Sequence, residues 1–304
     1  MLIMAVDLNQ LAPHRRAVDD NRRWADFDHR PDDIFVCTPA KCGTTWTQTI
    51  VASLLWPAGN QPAPVGQLSP WIEANFMPAD VMHDQLRAQT HRRFMKTHTP
   101  AEGIPWYEDA KYIFVARDGR DAFMSMCNHM ERMSKDLKNS LNAKVQDEDD
   151  IALLPDWNGD IHAAFKDWMS TMEHLQHVAS FWQRRKQANV LLVHYNDLKQ
   201  DLSGEMRRIA DFLNIEVPDS LWPQTVERCT FEAMRNDTER MGNFDAFEGG
   251  LKGFIFKGTN GRWRDVLTTQ ELAEYETSVE REMSSEASQW SANGISALVG
   301  AAHP

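Results

Sequence analysis

Cysteine is scarce and spaced wrongly for metal or redox work. The four, Cys37, Cys42, Cys127 and Cys229, form no Cys-x-x-Cys pair, which argues against a zinc site and against a disulfide framework. Positive charge is also short. The 32 Lys and Arg stand against 44 Asp and Glu, a net charge of −12, so a general nucleic-acid partner is not expected and any anion site must be a local concentration of cations. No run approaches the ~20 apolar residues of a membrane span. The apolar stretch 1–6 is interrupted by Asp7 and is too short for a signal peptide. No internal repeat is present. These absences lead to the expectation of a soluble, cytoplasmic protein without a membrane partner. The 304 residues, 42% hydrophobic and 25% charged, suffice for one large α/β domain or two small ones.

What is there begins with residues 38–46, Thr-Pro-Ala-Lys-Cys-Gly-Thr-Thr-Trp, which follow the apolar run 34–37 and precede a helix candidate from Thr47. A strand running into a loop and then a helix exposes unpaired N–H groups and the positive end of the helix dipole, where anions bind. Lys41 adds a charge, and Thr44 and Thr45 add hydroxyls. The loop is not a Walker A motif, which places Lys directly after its last glycine; Lys41 precedes Gly43 by two residues, and no earlier glycine opens the loop. Cys42 could be an activated thiol beside a helix N-terminus, or simply a small residue in a tight loop, the reading preferred here.

Further strand candidates lie at 93–96, 112–116 and 190–194, short apolar runs of the kind buried in parallel sheets. A helix is expected over 161–187, where Ile161, Phe165, Trp168, Met172, Leu175, Ala179 and Trp182 recur at spacings of three or four. Alternation of strands and helices predicts a doubly wound α/β sheet that binds ligands beyond the carboxyl ends of its strands. Residues 1–30 read as a polar lead-in, 31–290 as a single domain and 291–304 as a tail. The charged stretch 131–160, with Asp147-Glu-Asp-Asp150, fits a mobile lid or a solvated surface helix and loop equally well.

Four more segments can carry chemistry. Lys96-Thr-His98 ends a strand candidate: His98 can accept a proton at neutral pH, and Lys96, two residues earlier, points to the same side of the strand. Arg117 ends the 112–116 strand, where a guanidinium can fork onto a phosphate, or else pair with Asp118 or Asp121. Ser125 lies about two turns into the following helix. Tyr195 stands at the end of the 190–194 strand, placed to meet a base or ribose. The stretch 256–264, Phe-Lys-Gly-Thr-Asn-Gly-Arg-Trp-Arg, is basic and glycine-containing in an otherwise acidic chain. It suits a loop closing over an anion, or a plain surface turn.

Taken in order, these segments resemble the cytosolic sulfotransferases over about residues 24–270. Phe27 to Asp33 resembles the stretch before that family's first strand. Lys41-Cys-Gly-Thr-Thr-Trp46 is similar to its 5′-phosphosulfate loop, and Lys96-Thr-His98 to its catalytic Lys-Thr-His. The resemblance implies a single-domain, P-loop-like parallel-sheet sulfotransferase fold with helices on both faces. It implies 3′-phosphoadenosine 5′-phosphosulfate as donor, adenosine 3′,5′-bisphosphate as product, and no metal requirement. Lys41, Cys42, Gly43, Thr44, Thr45 and Trp46 would hold the 5′ end. Arg117, Ser125, Lys257 and Gly258 would hold the 3′-phosphate. Tyr195 and the stretch from Cys229 through Thr230 and Phe231 to Met234 would flank the adenine together with Trp46. His98, Lys41, Lys96 and Ser125 would be the catalytic set, Ser125 steering Lys41. Phe27, Phe76 and Trp106, with Trp71, Met77 and Trp157, are candidate linings of a pocket for a small hydrophobic or phenolic acceptor. The chain departs from the pattern at Phe256, where the family has Arg, and in the family's dimer motif, which survives only as Arg264-x-x-x-Thr268-Thr269 with Ala273 at its end; a homodimer by that route is in question. The rivals are a P-loop-like kinase and a non-catalytic nucleotide-binding protein.

Overall fold

The computed structural model describes residues 6–295. Its centre is a four-stranded sheet, all parallel, in the order β2-β1-β3-β4: β1 Ile34–Cys37, β2 Phe94–Thr97, β3 Lys111–Ala116 and β4 Val190–His194. Expected and observed strands agree to within a residue at either end. Side chains alternate across a pleated strand, so each strand feeds two cores. Phe35, Cys37, Tyr112 and Phe114 face the helices Gly119–Arg132, Glu173–Gln183 and Ser285–Asn293, through Phe123, Phe181 and Trp290. Ile34, Val36, Ile113 and Val115 face the helices Thr44–Leu55 and Leu202–Leu213, through Ile50, Leu54, Ile209 and Leu213. Both faces are covered, as the apolar strand runs required. Among the described residues no helix is long and apolar enough to cross a membrane.

The chain leaves β1 toward β2 on one side and returns to β3 on the other. The crevice between the loops after β1 and β3 is therefore the switch point of the sheet, where this topology places ligands.

The expected helix 161–187 is two helices, Ile161–Thr171 and Glu173–Gln183. They meet at Met172, which sits in the left-handed region at φ 54°. Apolar residues continue at helical spacing through the break because both helices face the same core. The break therefore leaves no trace in the periodicity, and neither Gly nor Pro marks it.

The lead-in is a wall of the structure: Asp19, Asn21, Trp24 and Phe27 are buried. Arg15 reaches Glu148 at 2.5 Å and Asp150 at 3.0 Å, which ties the acidic run of 131–160 to this wall. Within that stretch the helix Lys135–Val145 places Leu141 and Val145 beside Ile151 and Ala17 in a small satellite core. Ser291, assigned to the tail, belongs to the last helix and is buried, its carbonyl accepting from His194 Nε2 at 2.9 Å; residues 296–304 lie outside the described part. Thr268, from the degraded dimer motif, caps the helix Thr269–Glu282 in a reciprocal box with Glu271.

Candidate active site

Two strand–loop–helix units face the crevice, and only one leaves its helix N-terminus open. The helix after β3 is closed by Asp118, whose carboxylate accepts from Arg120 N and pairs with the Arg120 guanidinium at 2.7 Å. The helix after β1 has no side-chain cap, so its first N–H groups are free for an anion. The loop reaches that helix through two left-handed residues, Lys41 at φ 68° and Gly43 at φ 108°. A Cβ on Gly43 would lie 3.1 Å from the Tyr195 ring, so glycine here lets Tyr195 pack against the loop.

Thr38 joins this loop to β2. Its carbonyl accepts from His98 Nδ1 at 2.8 Å, and its hydroxyl lies 3.2 Å from the same nitrogen and 2.6 Å from Thr44 Oγ1. A carbonyl can only accept, so Nδ1 carries the proton and Nε2 keeps the lone pair. Burial and the nearby Lys96 charge push His98 down to about 3, so its ring is neutral at physiological pH. Trp71 packs edge-on to His98 at 4.7 Å and lies under Lys96 Nζ at 4.9 Å. One indole thus touches both residues, as the i, i+2 spacing requires. Beneath them buried Glu73 accepts from Trp24 Nε1 at 2.9 Å and from Thr97 Oγ1, and burial lifts its carboxyl to about 7.

Lys41 is crowded by cations. Burial first, then Lys96 and Arg117, lower its ammonium to about 7; burial lowers Lys96 to about 8, with Glu73 opposing. The Lys41 ammonium lies over the Phe254 ring at 4.7 Å and 3.2 Å from His129 Nδ1. Cys42 is buried and pushed up to about 12 by that burial, which matches a small packing residue and not an activated thiol.

Arg117 pairs with neither Asp118 nor Asp121. Its guanidinium bonds Asn260 Oδ1 at 2.6 Å, the Thr259 carbonyl at 3.0 Å and the Lys41 carbonyl at 3.3 Å, and lies 4.2 Å over the Tyr195 ring. The loop after β1, the end of β3 and the 256–264 stretch therefore meet at one guanidinium. Ser125 is half-buried on the helix Gly119–Arg132 that follows. Gly261 N also donates to Asp121 Oδ1 at 2.7 Å. Gly258, at φ 61°, packs against Phe231, where a Cβ would sit 2.8 Å from the ring, and its carbonyl accepts from Tyr195 OH at 3.4 Å. Trp46 lies edge-on to Tyr195 at 5.3 Å and donates to the Cys229 carbonyl at 2.8 Å. Thr230 caps the helix Phe231–Asn236, which buries Met234. Gly258→Ala is expected to cost about 1–2 kcal/mol through the left-handed backbone alone, read as a lower Tm, with nucleotide affinity falling as Phe231 is displaced.

Lys257 is exposed, its ammonium 5.1 Å from the centre of the Phe256 ring. The Arg132 guanidinium lies over the same ring at 4.3 Å, so a cation stands at Phe256 although the sequence has lost one there. The Nε atoms of Arg132 and Arg262 are buried without a hydrogen-bond partner among the described residues.

The acceptor-side expectations divide. Phe76 is half exposed and packs on Trp71 at 5.9 Å, next to His98. Phe27 and Trp106 pack elsewhere. Phe27 is 2% exposed, packed on Trp24 and Phe35. Trp106 stacks on Tyr112 at 4.0 Å, at the start of β3 and away from the strand ends that hold His98. Met77 and Trp157 also pack against the core. Aromatic identity does not distinguish the two ends of a sheet. Thr38 and Asn260 lie in stretches the sequence singles out, but their own contacts are not readable there; Glu73 and His129 are missed, and of these two His129 leaves a signal, one turn beyond Ser125 on the same helix.

An all-parallel sheet with an open helix N-terminus and a cationic crevice at its switch point is a P-loop-like α/β fold built to bind an anion. A family model described as sulfotransferase domain matches residues 31–286, and the chain belongs to the sulfotransferase family. A glycolipid sulfotransferase of Mycobacterium tuberculosis is 32% identical over 289 residues, 86% of this chain and 88% of that one. Among solved structures, a retinol dehydratase in complex with retinol and PAP superposes with a TM-score of 0.66 at 21% identity, over 84% of this chain and 82% of that one. Mouse sulfotransferase SULT7A1 complexed with PAP gives a TM-score of 0.63 at 21% identity, covering 86% and 88%. The chain is an enzyme of sulfuryl transfer.

Proposed function

We propose that the donor is 3′-phosphoadenosine 5′-phosphosulfate and that His98 Nε2 is the base that deprotonates a hydroxyl (or amine) of a hydrophobic or phenolic acceptor. The observation that carries this reading is the Thr38 contact: one residue of the phosphate-gripping loop fixes the His98 tautomer, so base and donor grip are held as a unit. PAP in the solved structures above supports the nucleotide, and the glycolipid sulfotransferases support a lipid-like acceptor. Trp71 and Phe76 give the His98 surroundings an apolar character.

Three features support the nucleotide: the uncapped helix N-terminus, the close packing of Tyr195 and Phe231 on the loops that Gly43 and Gly258 permit, and the Nε–H groups of Arg132 and Arg262, buried without a partner among the described residues. The open N–H groups from Thr44 to Trp46 would take the 5′ end. Arg117, Ser125, Lys257 and Gly258 would take the 3′-phosphate, with Arg132 and Arg262 adding the charge that Phe256 withholds. Trp46, Tyr195 and Phe231 would enclose the adenine. When bound, the nucleotide supplies an activated sulfuryl group whose leaving oxygen is a phosphate oxygen. Lys41 would hold the charge that develops on that oxygen, Lys96 the charge on the transferred group, and His98 Nε2 the acceptor proton. Transfer of labelled sulfate from the donor to a panel of phenols, sterols and glycolipids tests the reading. Failure to bind adenosine 3′,5′-bisphosphate would sink it.

The lowered lysines predict how that binding responds to pH. An anion favours the ammonium form of Lys41, which is already charged below its free-state value of about 7. Affinity should therefore be flat below that pH. Above it, binding must take up a proton, and Kd should rise by up to about tenfold per pH unit, with Lys96 extending the effect past pH 8. Calorimetry in buffers of different ionisation heat should record this uptake, and a Kd constant from pH 6.5 to 9 would refute the assignment.

A further inference from the structure

Lys41 meets a histidine. Its ammonium is 3.2 Å from His129 Nδ1, and the His129 ring is flanked by Phe247 at 4.6 Å and Phe254 at 5.7 Å between centroids. Phe254 also lies under the Lys41 ammonium. The backbone supports the same arrangement: Glu248 N donates to the Arg132 carbonyl at 2.8 Å, binding the 247–254 segment to the end of the helix that carries His129. The side chain at position 129 follows Ser125 by four residues, so both project from one face of the helix Gly119–Arg132.

We propose that His129 is a positioning residue that parks Lys41, accepting an N–H of its ammonium so that Lys41 does not engage the leaving oxygen of the donor before an acceptor is in place. The inference rests on the donor assignment above. The charged and titratable groups around His129 are Lys41, Lys96 and His98, and burial with these charges holds its imidazole well below the usual range. In the pair the proton therefore stays on Lys41, and His129 offers the Nδ1 lone pair. His129 then carries its own proton on Nε2, the opposite tautomer to His98.

Without the parking contact, Lys41 is free to assist attack by water. The water oxygen bonds to sulfur, the bond from sulfur to the 5′-phosphate oxygen breaks, and hydrogensulfate and adenosine 3′,5′-bisphosphate are released. His129→Phe keeps the aromatic contacts and removes the acceptor. His129→Asn offers Oδ1 near the place of Nδ1.

The experiment has two readouts. In the free protein, the pH profile of Lys41 acylation by a water-soluble active ester is followed by peptide mass. In the loaded enzyme, bisphosphate release is followed without acceptor. His129→Phe is expected to raise Lys41 acylation at neutral pH and acceptor-independent cleavage by about tenfold each, the scale of one hydrogen bond to a charged group, and His129→Asn to restore both. Unchanged readouts in His129→Phe, or equal changes in the Asn variant, would overturn the proposal. His129→Leu carries the comparison if the Phe variant does not fold. If wild-type protein neither binds the bisphosphate nor cleaves the donor, the donor assignment fails, while acylation in the free protein still decides the Lys41–His129 contact.

Discussion

Replacing His98 with alanine is expected to lower kcat/KM for sulfuryl transfer by about 10²–10⁴, the range for a positioned general base. Adenosine 3′,5′-bisphosphate should still bind within a few-fold of wild type. The loop proposed to grip the nucleotide does not depend on the imidazole, because Thr38 keeps its bond to Thr44 and the helix after β1 keeps its open N-terminus. What is lost is the Nε2 lone pair. His98→Asn is the sharper variant: its amide can still donate to the Thr38 carbonyl, yet it has no basic nitrogen, so activity should stay low. Since His98 is already neutral well above its lowered value of about 3, the wild-type profile should show no acid limb near the ordinary histidine value of 6.5. Turnover within tenfold of wild type in His98→Ala, on an acceptor the enzyme uses well, would move the base elsewhere.

Local features of this site were legible in the sequence, and tertiary ones were not. The strand–loop–helix at 34–55 needed only an apolar run, a loop with a lysine and two threonines, and the helix candidate that follows. The common direction of Lys96 and His98 followed from strand alternation. Trp71, which touches both, reaches them because Pro70 and Ile72 pair with Lys96 outside the sheet: Lys96 N donates to the Pro70 carbonyl at 3.0 Å, and Ile72 N to the Lys96 carbonyl at 3.4 Å. No pattern in 70–73 announces that pairing. Phe27 and Trp106 show the converse, since an aromatic near a motif in sequence can lie at the other end of the sheet. Phe256 read as a missing cation because position was the only information available, and packing brings Arg132 to the same ring from the 119–132 helix. The 256–264 stretch, equally readable as a surface turn, is fixed by Arg117 and Asp121.

Lys41→Met should separate catalysis from stability in opposite directions. Loss of one preorganised donor at the leaving oxygen costs about 10²–10³ in kcat, and bisphosphate affinity should fall with it at neutral pH. Arginine should not rescue: residue 41 is held at φ 68°, between His129 and the Phe254 ring, where a planar fork meets neither the space nor the single direction of the ammonium. The free protein should nevertheless become more stable, because burial and the Lys96 and Arg117 charges all oppose the ammonium. The sign follows from linkage. The folded state holds Lys41 at about 7 against an ordinary value of 10.5, so between those values the unfolded chain binds the extra proton and stability from this site rises with pH. Below pH 7 the folded state carries the full penalty of a charged Lys41, and removing the side chain should then give its largest gain in Tm. By pH 10.5 the unfolded lysine is itself losing its proton, and the gain should shrink toward the difference in packing alone. A variant that is slower and also less stable at pH 6.5 than at pH 10, relative to wild type, would mean that the His129 and Phe254 contacts outweigh the burial and neighbouring charges, so that Lys41 is not a net strained charge awaiting an anion.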